Sequence, residues 1–152
     1  MKGFTLIELV IATALLLLLA GSIVANYNNY SDKQRIRQEA LTLKNDLRLA
    51  QIKAISVQKP ASGCSGYIGM NVTFSANSYS IQALCSEGLI GDILQHVLPS
   101  AVTFNPVPAP LTFRALTHTL TSDATETILL TGASGNYEIR VASNGDITEV
   151  GF

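Results

Sequence analysis

The chain has 152 residues, room for one globular domain and an appendage. Its formal charge is −1, with 14% of residues charged and 47% hydrophobic. That composition excludes a disordered chain and disfavours a nucleic-acid binder that works by bulk electrostatics. Two cysteines are too few for a disulfide-dense scaffold or a zinc site. The near-zero total conceals a split. Up to Lys59 there are eight basic and four acidic residues, a sum of +4. Beyond it there are two basic residues (Arg114, Arg140) and seven acidic ones, a sum of −5.

The first segment, Phe4 to Ala25, reads FTLIELVIATALLLLLAGSIVA and holds one charge, Glu8. As a helix it spans roughly 33 Å, against a bilayer core of about 30 Å. A plain membrane anchor fits the apolar run. So does a secretory signal peptide cleaved near Ala20-Gly21-Ser22. Neither explains Glu8, since a carboxylate in hydrocarbon costs on the order of 2.5–3.5 kcal/mol at a helix centre and less near an end.

Gly3-Phe4-Thr5-Leu6-Ile7-Glu8-Leu9 resembles the class III leader of type IV pilins and pseudopilins. The resemblance implies cleavage after Gly3 by a prepilin peptidase and N-methylation of the new terminal residue, Phe4. It also implies that Glu8 compensates the terminal ammonium during assembly. A buried cation needs such a partner. Major pilins of the family often carry a kinking Pro near Ala25, whereas this chain has Gly21. The resemblance also implies an N-terminus inside the cell, with Lys2 in the leader and the basic arm outside.

Residues 31–59 contain neither Pro nor Gly. Ile36, Ala40, Leu43, Leu47, Ala50, Ala54 and Val57 recur at alternating steps of four and three, one face of an amphipathic helix. Leu41, Leu49, Ile52 and Ile55 are expected to widen that stripe. A continuous helix from Phe4 to about Gln58 is expected despite the polar tract Asn26–Ser31. It should stop before Pro60, whose ring restricts Lys59.

From Ala61 the period changes to that of strands. Tyr67–Phe74 and Tyr79–Leu84 flank the turn residues Ser75-Ala76-Asn77-Ser78 and read as a hairpin. Ile93–Leu98, Val102–Phe104 and Leu111–Arg114 are short strand candidates, the last two separated by Pro106, Pro108 and Pro110. Thr117–Glu126 reads as loop or edge. Thr127–Thr131 and Tyr137–Val141 are strands around the small loop Gly132-Ala133-Ser134-Gly135. Ser143-Asn144-Gly145-Asp146 suggests a type I′ hairpin into Ile147–Phe152.

The expected fold is therefore α+β, a long helix packed on an antiparallel β-sheet head. That is the pilin fold. Its parts are a leader (1–3), a transmembrane and filament-core helix (4–30), an amphipathic arm (31–59) and a head (60–152). Arg48–Ile55 and the ending Ile139-Arg140-Val141…Asn144-Gly145-Asp146-Ile147 are similar to the H-type minor pseudopilins of type II secretion and to FimT-like minor pilins. Some FimT-like proteins bind DNA through C-terminal basic residues. Here Arg140 stands alone among acids, so DNA is not expected as a partner.

An oxidising compartment for the head favours a Cys64–Cys85 disulfide, with two free core cysteines as the alternative. His96 and His118 have no ligand or triad spacing around them. No catalytic residue, metal site or cofactor is expected, and the chain does not read as an enzyme.

The resemblance implies a structural minor pseudopilin. It would sit in the inner membrane as a single-pass protein, N-terminus cytoplasmic and head extracytoplasmic, before joining a filament. Its partners would be a prepilin peptidase/N-methyltransferase, other pilin or pseudopilin subunits, an assembly platform with its ATPase, and membrane lipid before assembly. A minor pilin of a pilus or DNA-uptake machine is the alternative within the family. A membrane-tethered binding domain that never polymerises is the alternative outside it.

Overall fold

The computed structural model describes the backbone of residues 5–152 and the side chains of 5–18 and 27–152. Helix α1 runs unbroken from Leu6 to Ile55, 50 residues and about 75 Å. Eight strands follow: β1 (Tyr67–Ser75), β2 (Ser78–Cys85), β3 (Gly88–Val97), β4 (Val102–Phe104), β5 (Leu111–Arg114), β6 (Glu126–Gly132), β7 (Gly135–Val141) and β8 (Ile147–Gly151). The expected α+β architecture, a helix on antiparallel strands, is what forms.

The strands make two four-stranded antiparallel sheets, β3-β2-β1-β5 and β4-β6-β7-β8. Strands β4 and β5 are neighbours in sequence but belong to different sheets. The tract Asn105–Pro110 between them offers three prolines, which cannot donate to a ladder. The segment Thr119–Thr121 links the two sheets. It pairs with β5 through Phe113 and Leu120, and the Leu120 amide donates to the Ser143 carbonyl at 2.9 Å.

Helix α1 packs its arm across both sheets. Ile36, Ala40, Leu43, Leu47, Ala50 and Ala54 are each no more than 1% exposed. They meet buried residues of both sheets, among them Val72, Tyr79 and Phe113 from one and Ile128, Leu130 and Ile139 from the other. At Gly132 a Cβ would fall 2.7 Å from the Ile36 side chain, so the absence of a side chain there sets the helix–sheet distance.

Polar residues at the same seven-residue spacing flank this seam. Arg37, Lys44 and Gln51 face the second sheet. Lys44 pairs with Glu149, and Gln51 Nε2 donates to the carbonyls of His118 (2.9 Å) and Gly145 (2.8 Å). Glu39, Asp46 and Lys53 face the first sheet. Glu39 meets His96 at 2.9 Å, Asp46 accepts from the Tyr79 hydroxyl at 2.6 Å, and the Lys53 carbonyl accepts from the Tyr67 hydroxyl.

Leu41, Leu49 and Ile52 do not widen the buried stripe. They are 38%, 38% and 59% exposed. Ile52 lies nine residues beyond Leu43, half a turn round the helix at about 100° per residue. The two sheets reach only the seam and its flanks. Strand β3 begins at Gly88, earlier than Ile93. Gly88 and Gly91 obscured it in the sequence. Gly91 lies in a register slip, at φ +90°, where a Cβ would meet the Pro60 ring at 2.6 Å.

The last turn is also not the expected type I′. Within Ser143–Asp146 only Gly145 has positive φ, +85°. The Gly145 amide donates to Ala142, the Ala142 amide donates to the Asp146 carbonyl, and Asn144 Oδ1 accepts from the Asp146 amide at 3.0 Å. This is a three-residue connection closed by a left-handed glycine. A Cβ at Gly145 would fall 1.6 Å from the His118 carbonyl oxygen, which also rules out a side chain there.

Helix α1 ends at Ile55 rather than Gln58, so Val57 falls beyond it and is exposed instead of extending the buried face. The Val57 amide donates to Ala54 and the Gln58 amide to Lys53, the paired bonds of a Schellman cap. The cap puts Val57 at φ +51°, a conformation that costs a β-branched residue on the order of 1–2 kcal/mol. Val57→Gly should raise the stability of the chain by about 1 kcal/mol in a denaturant titration. A loss of stability would mean that the half-turn is not left-handed.

Candidate functional site

Helix α1 begins with a capping box. Thr5 is the N-cap, its Oγ1 accepts from the Glu8 amide at 3.4 Å, and Glu8 Oε2 accepts from the Thr5 amide at 3.5 Å. The sequence carries the signature openly as Thr5-x-x-Glu8, yet the leader resemblance assigned the acid wholly to the terminal amine. The carboxylate closes the first turn and puts negative charge at the positive end of the helix dipole. Gly3 and Phe4, the expected cleavage and methylation positions, lie outside the described residues.

Every described side chain from Thr5 to Leu18 is exposed. Leu6 is 82% exposed, and Leu17 and Leu18 are each 75% exposed. A helix apolar on all sides cannot remain in water; lipid or other helices must cover it. Among the described residues no helix is long and apolar enough to cross a membrane. The rest of the expected span falls on residues 19–26, whose side chains are not described.

Cys64 and Cys85 form a disulfide, Cα–Cα 5.5 Å, 21 residues apart. It ties the entry of the head to the end of β2. Glu87 lies close by, with its carboxylate and both sulfurs within 4.8 Å of one another. The disulfide consumes both thiolates, so this trio is not a ligand set. Glu87 instead accepts from the Ser65 amide and hydroxyl, which hold its carboxyl below the usual range. Gly63–Gly66, which could pass for a nucleophile loop, is thereby a stapled surface turn. Reducing the disulfide should lower stability by roughly 3 kcal/mol for a loop of this length. Unchanged denaturation midpoints with and without reductant would contradict it.

A second polar cluster fixes the arm. Glu149 accepts from Lys44 and from the Tyr137 hydroxyl, the latter at 2.7 Å, with Arg37 beside them. Lys44 first and Tyr137 second pull the Glu149 carboxyl below its ordinary value of 4.5. Burial, then the hydrogen bond to Glu149, raise Tyr137. A lowered carboxyl stabilises the fold above its unfolded pKa, and that contribution fades as pH falls through the folded value. Stability should therefore drop as pH falls below the ordinary glutamate value of 4.5. Glu149→Gln should lose about 1 kcal/mol at neutral pH and flatten that slope. An unchanged slope in acid titrations of the variant would remove Glu149 as its source.

The same face holds a pocket that sequence reading missed. It lies at the base of the head, about 380 Å³, lined by Tyr30, Lys33, Gln34, Arg37, Tyr137, Gly151 and Phe152. Its walls come from positions more than 100 residues apart, and only the polar spacing Tyr30-Lys33-Arg37 hints at it.

Residues 1–24 match the model of the prokaryotic N-terminal methylation motif. No curated protein and no solved structure matches the chain. The matched segment ends inside α1, so it speaks for the leader and the start of that helix and does not reach the arm or the head. Leader and fold agree: this is a chain with a type IV pilin-like class III leader, joined to an α+β head in which the helix packs on antiparallel strands.

Proposed function

We propose that the protein is a structural subunit of a type IV pilin-like filament, not an enzyme. The observation that carries this is a single helix whose C-terminal half is sealed into its own head while the described apolar residues before it, Thr5 to Leu18, are bare. Lipid covers the bare part before assembly, and neighbouring helices cover it in the filament core. In this reading a prepilin peptidase cuts after Gly3 and methylates Phe4. The N-terminus faces the cytoplasm and the head lies outside the inner membrane. A platform protein and ATPase then extract the subunit.

The finer reading is a minor pseudopilin of a type II secretion machine. It rests on the likeness of Arg48–Ile55 and Ile139–Ile147 to that group. The alternatives, a minor pilin of a pilus or DNA-uptake machine and a tether that never polymerises, share the anchor. Arg140 is engaged by Glu138 at 2.5 Å, which further weakens a DNA role for the last hairpin.

The capping box allows a sharp test. Glutamine can replace glutamate in such a box but carries no charge. Glu8→Gln and Glu8→Ala should both reduce incorporation into filaments, while membrane insertion stays intact. Sheared filaments and washed membranes probed for the protein would measure the two. If Glu8→Gln incorporates as well as the parent, the acid serves the cap alone, and pairing with the Phe4 amine is wrong.

A further inference from the structure

The pocket at the base of the head shares Arg37 and Tyr137 with the Glu149 cluster, but neither the fold nor the assembly reading uses its open side. It sits where the bare helix enters the head. Tyr27 and Tyr30 are 68% and 63% exposed, one turn apart, just beyond the apolar run. Tyrosines in that position lie at headgroup level in a bilayer. Lys33 follows Ala25 by eight residues, about 12 Å of helix, and helical side chains lean back toward the N-terminus. Lys33 therefore overhangs the layer in which lipid phosphates lie, with Arg37 one turn, about 6 Å, further out.

The chemistry of the walls suits an anion. Among the described residues neither Lys33 nor Arg37 forms a salt bridge. Lys33 Nζ lies 5.5 Å from the centre of the Phe152 ring, and Phe152 packs edge-on against Tyr137 at 5.1 Å. Two acids border the pocket: Glu149, which lies beside Arg37 as well, and Asp32. Glu149 is held by Lys44 and the Tyr137 hydroxyl, and Asp32 meets the Ser134 hydroxyl at 3.5 Å. A lysine over the Phe152 ring and an arginine beside Tyr137, on the side open to the headgroup layer, form a site with charge for an anion and an apolar wall.

We propose that the pocket of Tyr30, Lys33, Arg37, Tyr137 and Phe152 binds the phosphate headgroup of an anionic phospholipid while the subunit waits in the membrane. The site holds the head at a fixed height and rotation over the bilayer, and extraction into a filament empties it. The inference rests on the membrane-anchored reading above, because only that reading brings lipid to the pocket.

The test uses the mature full-length chain in non-ionic detergent. Short-chain phosphatidylglycerol, short-chain phosphatidylcholine and inorganic phosphate are titrated separately, with the melting temperature as readout. Phosphatidylglycerol should raise the melting temperature, phosphatidylcholine should not, and phosphate should act only at much higher concentration. Lys33→Gln should weaken the phosphatidylglycerol effect about fivefold, the loss expected for one cation at an anionic headgroup. Arg35→Gln, an exposed charge outside the pocket, should change it little. Equal shifts with both lipids, equal loss in both variants, or phosphate matching phosphatidylglycerol would each overturn the proposal. Flotation with phosphatidylcholine vesicles separates the two readings. A chain that floats but shows no phosphatidylglycerol preference refutes the lipid site alone, and one that does not float refutes the anchor as well.

Discussion

Fifty residues of helix share one small head, and the head covers only the second half. That mismatch governs the molecule. The arm from Ile36 to Ala54 is buried so closely that three of its six seam residues are alanines. The helix therefore nests between two sheets rather than resting on one. The described side chains before the arm, Thr5 to Leu18, are exposed on every face, and nothing among the described residues covers them. An isolated copy in water is incomplete by construction, and a bilayer or a bundle of like helices completes it.

The arm's rotation is fixed by chemistry as much as by the seam. Bases and an amide (Arg37, Lys44, Gln51) lie along one flank, and acids (Glu39, Asp46) lie along the other. Each row meets complementary partners: Glu149 and two carbonyls on one sheet, His96 and the Tyr79 hydroxyl on the other. A roll of the helix would face like with unlike on neither side and would leave partly buried charges unpaired. The overall charge split has a local origin here. The basic arm and acidic head are not merely two blocks, since their charges interlock along one flank of the helix. Outward, Leu41, Leu49 and Ile52 remain uncovered.

Much of this was legible in sequence. The step pattern 4, 3, 4, 3 gave the seam from Ile36 to Ala54 but carried it too far, to Val57, and alternation with turn residues located all eight strands, missing only the first half of β3. The leader was readable because its chemistry is local: Gly, Phe and Glu within six positions. What failed was of two kinds. Single-residue φ choices at Val57 and Asn144 depend on which amide finds which carbonyl, and that is decided by folded neighbours such as His118 and Ala54. The partition into two sheets depends on long-range pairing, which prolines at 106, 108 and 110 permitted but did not dictate. The basal pocket was hidden for the same reason, since Phe152 meets Lys33 only in the folded chain. The capping box was the opposite case. Thr5-x-x-Glu8 was in plain view, and a more specific motif overlapped it.

The fate of the N-terminal half turns on what happens at Gly3. If the leader is removed there, the bare helix starts with a charged amine four residues before Glu8, and the capped, apolar rod is an assembly element. Intact mass and N-terminal sequencing of the mature protein from its native membranes test this directly. A filament subunit processed at Gly3 begins with N-methylated Phe4. A chain that still begins at Met1, or one that begins near Ile23 after signal-peptide cleavage, would contradict it.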